Sequence, residues 1–299
     1  MSGDAREITL ALRGRWFGRY GLCFCPAHAN TRTPALRVAE GRDGRLLLLC
    51  SAGCCFADVL AALRGMGLVD GNGRAPEPDP AAEARRKAEE RRERERGIRR
   101  ARNAWGEAGS IGGTLGERYL RDRAIQCDLP GSLRFSGEAW HGPTARRLPA
   151  MVAAVTLEGE REPVAVHRTY IAEPGRKADV SPVKAMLGPC RGGAVRLSVG
   201  AGPLDKAEGV ETALSLRDAL AAHYPRVWAA LSTSGIAGLR LPPEPAELVV
   251  APDGDEPGRA AAEALARRAH ALGWRVSLMP CPDGRDFNDI AAEAAHERA

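Results

Sequence analysis

After Gly202 the sequence falls into a strand–helix rhythm, and no other feature restricts the fold more. "LDKAEG" leads into "VETALSLRDALAAH", followed by "RVWAALST", "ELVVAPDGD", "PGRAAAEALARRAHALG" and "RVSLMPCP". Short apolar runs that alternate with helix-length ones imply a parallel sheet flanked by helices, an α/β arrangement. In open sheets of this kind, ligands gather beyond the carboxyl ends of the strands. Acidic groups fall at those ends: Glu208 closes "LDKAEG", Asp253 and Asp255 close "ELVVAPDGD", and Asp286 follows "RVSLMPCP" in "GRDFND".

Carboxylates packed together repel one another unless something positive neutralises them. A hard divalent cation such as Mg²⁺, held by oxygen ligands, is the natural neutraliser and favours bound phosphates. Gly254 and Gly258 let the backbone approach closely, and Pro257 suits the first turn of the following helix. "DGDEPG" alone has a second reading, in which Asp255 and Glu256 only cap that helix. The upstream "EG" and the downstream acidic motif favour the cation.

"AEGVETALS", "VVAPDGDEPGRAAAEALARRAHALGWRV" and "PDGRDFNDI", in this order, resemble a Toprim domain, the catalytic fold shared by bacterial-type primases, topoisomerases and some nucleases. The resemblance covers roughly the last third of the chain and implies a Rossmann-like parallel sheet. It implies Glu208 as the family glutamate, Asp253 and Asp255 as the DxD pair, and Asp286 as the first acid of the downstream motif. These would be the catalytic residues, with Glu208, Asp253 and Asp255 holding Mg²⁺ or Mn²⁺. Primases often carry a second acid two positions after the first, where this sequence has Asn288 and then Asp289.

The N-terminal segment has a different chemistry. Five of the eight cysteines crowd into it, namely Cys23, Cys25, Cys50, Cys54 and Cys55, which in a reducing compartment favours metal over disulfides. Cys25-x₂-His28 and Cys50-x₃-Cys54, separated by a hairpin-like stretch, offer two close pairs for tetrahedral zinc. Cys23 and Cys55 are near enough to compete; "CPAH" and "CSAGC" favour Cys25 and Cys54. A closed four-ligand site is structural. The segment resembles the N-terminal zinc ribbon of bacterial and phage-type primases, which is thought to help engage single-stranded template. Ala35 stands where those ribbons usually have Ser, and the second pair has the wider spacing of mobile-element primase-helicases.

Between these ends, "GNGRAPEPDPAAE" reads as a linker, and "AAEARRKAEERRERERGIRRARNAW" as a solvated helix with almost no apolar face. From Thr114 to about Leu197, short runs such as "VAVHRTYI" suggest a small antiparallel sheet with a helix or two. The expected division is therefore a zinc-ribbon β domain at 1–69, a linker and charged helix at 70–104, a central α+β domain at 105–202, and the Toprim domain at 203–299. Basic residues recur near the central strand ends, among them Arg123, Arg168, Lys184, Arg191 and Arg196, where they could meet phosphates, with Tyr170 available for stacking. His167 reads as a packed strand residue. The segment is similar to the domain that precedes Toprim in phage- and plasmid-type primases, with "YL-x-x-R", "HRTYI" and a Lys before "LG". That similarity implies that Arg168, Lys184 and Arg123 contact nucleotide or template.

The net charge of +5 does not identify a nucleic-acid partner by itself. No apolar run approaches a membrane span and no signal-peptide core is visible, so a cytoplasmic protein is expected. The combined resemblance implies a DNA primase of prokaryotic or mobile-element origin. It would join ribonucleoside triphosphates on a single-stranded DNA template, with a separate replicative helicase as a further partner. A Toprim nuclease and a non-catalytic module that docks on DNA or a helicase are the alternatives. No G-x₄-G-K-[ST] loop occurs in the sequence, so no helicase or ATP-driven nuclease of that type is encoded in it.

Overall fold

The computed structural model describes residues 5–18, 20–29, 33–41, 45–69, 80–200, 202–223 and 226–297, with the backbone alone at 80–83, 86 and 87. Most of the expected linker, 70–79, lies outside the described residues. The chain divides into two compact units, 1–85 and 86–299. No helix among the described residues is long and apolar enough to cross a membrane.

In the first unit, α1 (Ala5–Ala11) precedes β1 (Arg15–Trp16), β2 (Tyr20–Cys23), β3 (Leu36–Glu40) and β4 (Leu46–Cys50), and α2 (Phe56–Gly65) follows. The four strands form an antiparallel meander in chain order. Ile8, Leu12, Leu36, Val38, Val59 and Leu63 supply its small core. "LLLLC" alternates in depth along β4, with Leu47 and Leu49 turned outward, because successive strand residues point to opposite faces.

The second unit starts within α3 (Pro80–Glu107), the charged helix. Its C-terminal half is not purely solvated: Ala101 and Ala104 pack with Trp105 against Val152, Val166 and Leu187. Next come β5 (Gly109–Ser110), α4 (Leu115–Arg121), β6 (Leu133–His141), β7 (Arg146–Val155), β8 (Ala165–Ala172), β9 (Arg176–Lys177) and β10 (Lys184–Leu187). They build an antiparallel sheet in the order β10-β8-β7-β6-β5, with β9 paired to β8. Alternation along β8 sends Ala165 and Ile171 to one hydrophobic cluster and Val166 and Tyr170 to two others.

The C-terminal sheet comprises β11 (Val195–Arg196), β12 (Leu204–Ala207), β13 (Arg226–Ala229), β14 (Glu247–Ala251) and β15 (Arg275–Leu278). Its order is β11-β13-β12-β14-β15; the last four are parallel, and β11 joins antiparallel at the edge. Helices α5 (Val210–Ala219), α6 (Thr233–Gly238), α7 (Glu256–Ala271) and α8 (Phe287–His296) connect or follow the strands. Helices α6 and α7 pack on one face, around Ile236, Ala262 and Leu265. On the other face, Val210, Ala213 and Leu214 of α5 share a cluster with Met151, Ala153 and Ile171 of the antiparallel sheet. One core therefore runs through both sheets of this unit.

Candidate functional site

Strand order places the acids. β12 lies between β13 and β14, so the chain leaves β12 to one side and later returns on its other side. Such a reversal opens a crevice at the carboxyl ends of the two adjacent strands. Glu208 follows β12 directly, and Asp253 stands two residues beyond β14. Glu208 is half-buried and receives the backbone N–H of Thr233 at the start of α6. Burial and the nearby Asp255 hold its carboxyl above the usual range. Burial pushes Asp253 up to about 7, with Glu208, Asp286 and Asp255 adding to the rise and Lys184 opposing it. Asp253 Oδ1 is buried and has no hydrogen-bond partner. An orphaned, desolvated carboxylate oxygen among three other carboxylates suits a hard cation that brings its own positive charge.

Backbone bonds brace this acidic edge. Gly254 N–H donates to the Arg285 carbonyl at 2.7 Å, and Gly284 N–H donates to the Gly254 carbonyl at 2.7 Å. The loop carrying Asp253 and Asp255 is thus laced to the loop carrying Asp286. A Cβ at position 254 would stand 1.8 Å from the Pro282 carbonyl oxygen. Gly254→Ala should therefore separate the loops and lower stability by about 3 kcal/mol, a size expected of forced backbone displacement. Thermal unfolding checks this, and a melting temperature equal to that of the wild type would rule out the clamp.

Two acids carry local duties as well. Asp255 caps α7, its Oδ1 accepting from Gly258 N–H at 2.7 Å, so the helix-capping reading holds beside any metal role. Asp286 caps α8 in a reciprocal box with Asp289, whose Oδ2 accepts from Asp286 N–H at 3.0 Å. Asn288 is buried and donates through Nδ2 to the Arg123 carbonyl and to Ser215 Oγ, both at 2.9 Å. A carboxylate there could not donate to the carbonyl, which explains an amide at this position.

The basic residues split between the two faces of the antiparallel sheet. Lys184 pairs with Thr169 across the strands, on the face toward α5. Its Nζ lies 3.0 Å from Glu211 Oε2, and Tyr119 Oη donates to Glu211 Oε1 at 2.6 Å. Glu211 is buried on α5, and Lys184 with Tyr119 pulls its carboxyl down to about 2 against the burial penalty. His167, on the same face, is buried and held near 4 by burial and by Lys184, so it is neutral. Arg123 lies over the Tyr119 ring, 3.8 Å from its centroid. Arg168 occupies the opposite face, where its Nη1 donates to the Trp140 carbonyl at 2.7 Å. Lys184 and Arg168 are thus not brought together.

The Tyr119–Glu211–Lys184 network was not singled out from sequence. Tyr119 and Glu211 are 92 residues apart, and spacing carries no sign of such a pair. Lys184→Met should strand the buried Glu211 charge and cost about 3 kcal/mol, the low end for a broken buried pair because Lys184 keeps 35% of its side chain exposed. Denaturant unfolding measures it, and a change below about 0.5 kcal/mol would remove any structural weight from the pair.

In the first unit, the ligand atoms of Cys25, His28, Cys50 and Cys54 lie within 4.8 Å of one another. No other group of three or more His, Cys, Asp or Glu among the described residues converges as tightly, the acidic edge included. His28 Nδ1 stands 3.1 Å from Cys54 Sγ and 3.8 Å from Cys50 Sγ, while its Nε2 is buried without a partner. Tetrahedral zinc with bonds of ~2.3 Å to sulfur needs this spacing and donor set. The competing cysteines have other work. Cys23 Sγ faces the Leu36 carbonyl in the core, and its thiol is pushed up to about 12 by burial. Cys55 caps α2, accepting from Asp58 N–H at 3.4 Å.

Residues 206–297 match the Toprim domain, and residues 95–197 match a domain of unknown function, DUF7146. No curated protein is similar enough to match the chain. Among solved structures, the chain is similar to the zinc-binding and RNA polymerase domains of the Aquifex aeolicus primase, at 14% identity and a TM-score of 0.42 over 99% of this chain and 85% of that one. It is also similar to the RNA polymerase domain of the Mycobacterium tuberculosis primase DnaG, at 14% and 0.42 over 68% and 82%. The primase fragment of the bacteriophage T7 primase-helicase protein is similar at 14% and 0.38, over 64% and 71%. All three superpose loosely.

Proposed function

We propose that this chain, whose residues 206–297 belong to the Toprim domain family, is a DNA primase that makes short RNA primers on single-stranded DNA. The observation that carries the reading is the desolvated Asp253 carboxylate, unpartnered at Oδ1 and crowded by Glu208, Asp255 and Asp286. The four-ligand cluster of the first unit, read as structural zinc, favours a primase over a Toprim nuclease or a docking module. The proposed organisation keeps a ribbon at 1–69, a connector at 70–104, a second wall at 105–202 and the catalytic domain at 203–299.

Glu208, Asp253 and Asp255 would hold Mg²⁺ or Mn²⁺, with Asp286 adding negative charge at the same edge. The bound cation would supply charge neutralisation at the phosphoryl oxygens and acidify the attacking 3′-hydroxyl. Glu208 would serve either as a ligand or as the acceptor of that proton. Lys184, held by Glu211 and electrostatically close to Asp253, would orient the triphosphate, with Arg123 nearby. Incorporation of labelled ribonucleotides on single-stranded DNA with Mg²⁺ or Mn²⁺ tests this. Short RNA products support it; metal-dependent cutting of the template without products would favour the nuclease instead.

A further inference from the structure

Among the described residues, every sheet edge but one is blunted. An open edge carries unpaired N–H and C=O groups that template pairing with another chain, and proteins commonly shorten or charge such strands. β1, β5, β9 and β11 each have only two residues, β10 carries Lys184, and β15 carries Arg275. β4 ends the meander of the first unit with five residues, "LLLLC", none of them charged. Leu47 is 54% exposed there and Leu49 68%.

The register fixes which backbone groups face outward. Gly41 N–H donates to the Arg45 carbonyl at 2.7 Å, and Ser51 N–H donates to the Ala35 carbonyl at 2.8 Å. These bonds mark hydrogen-bonded pairs at both ends of the β3–β4 ladder, and such pairs alternate with non-hydrogen-bonded ones. Leu47, opposite Ala39, and Leu49, opposite Arg37, therefore bond to β3. Leu46 and Leu48 turn their N–H and C=O groups to the open edge, where they have no partner among the described residues. The Cys50 carbonyl already accepts from Gly53 N–H at 3.2 Å. The open groups thus flank Leu47 symmetrically.

A strand of this pattern complements itself. Two copies of β4, antiparallel about a twofold axis at Leu47, set Leu46 of each copy opposite Leu48 of the other. Each such pair exchanges both of its backbone bonds. Leu47 meets its own copy in the non-hydrogen-bonded position, where side chains approach most closely. Arg45 falls opposite Leu49, so no charge faces a like charge across the new ladder.

We propose that the first units of two chains pair through β4, joining their sheets into one. The pairing does not rest on the primase reading. A five-residue edge covers less than the ~800 Å² per partner of a stable interface, so the dimer is reversible. Sedimentation velocity of the full chain tests it. Wild type should move from monomer toward dimer as its concentration rises to about 100 µM. Leu47→Lys and Leu47→Glu, each confirmed as folded by circular dichroism, should weaken dimerisation about tenfold, because like charges would meet on the axis. An equimolar mixture of the two variants should dimerise again, since opposite charges then face each other. A wild type that stays monomeric, a dimer that survives Leu47→Lys, or a mixture of the folded variants that stays monomeric would overturn the proposal.

Discussion

Cys50→Ser is expected to unfold residues 5–69 while the second unit stays folded. The first unit has only a small core, and a core of that size supplies ~3–5 kcal/mol at best. A structural zinc contributes ~10 kcal/mol or more through the same residues that fold around it. Losing one of the four thiol and imidazole ligands should therefore exceed the unit's own stability. Amide exchange along β2, β3 and β4 would report the loss, and metal analysis should fall from one zinc per wild-type chain toward none. Cys55→Ser is the matched control. Its thiol is exposed and only caps α2, so the change should stay within about 1 kcal/mol. Full protection in Cys50→Ser, or wild-type protein without zinc, would refute the assignment.

Asp253→Asn should move activity and stability in opposite directions. Primer synthesis is expected to fall at least 1,000-fold, the equivalent of about 4 kcal/mol of transition-state stabilisation. The metal-free protein should become more stable, by about 2 kcal/mol after allowance for solvent screening. The sign follows from the carboxyl's shift from its ordinary 3.8 to about 7 in the fold. A raised carboxyl disfavours folding once ionised, so the penalty is absent well below pH 4 and complete above about pH 7. The gain in Asp253→Asn should accordingly grow across that window. Mg²⁺ should raise the wild-type melting temperature more than that of the variant, because only the wild type keeps all three carboxylates proposed as ligands. Undiminished primer synthesis in the variant would remove Asp253 from the catalytic site.

The strand–helix rhythm after Gly202 was legible because parallel strands buried on both faces and helices with one apolar face leave different periods in the sequence. It suffices to put Glu208 and Asp253 just beyond strand ends, whereas Asp286 lies further from β15, as the cap of α8. The Cys25, His28, Cys50 and Cys54 cluster was nearly legible, since two close pairs are a local property. Cys23 and Cys55 stayed open until the register of β2 with β3 put Cys23 opposite Leu36 in the core and the start of α2 occupied Cys55.

The burial of the charged helix was not legible, because "RRARNAW" presents its few apolar groups only to a surface built from β7, β8 and β10. The two sides of the antiparallel sheet were equally hidden. Alternation says that Arg168 and Thr169 point to opposite faces, but not which face meets α5. Packing decided that: Ile171 and Ala165 join the core shared with α5, which turns Lys184 toward the acids and Arg168 toward Trp140.

By itself, then, the sequence determined which residue types stand at which strand ends and which thiols come in pairs, because both depend on neighbours a few positions away. Tertiary structure alone decided that Glu211 would be neutralised by Lys184 and Tyr119, that Asn288 would clamp Arg123 to Ser215, and that Gly254 would admit no side chain. Each of these joins elements that are distant along the chain, and only packing sets the distances on which a charge, a donor or a Cβ depends.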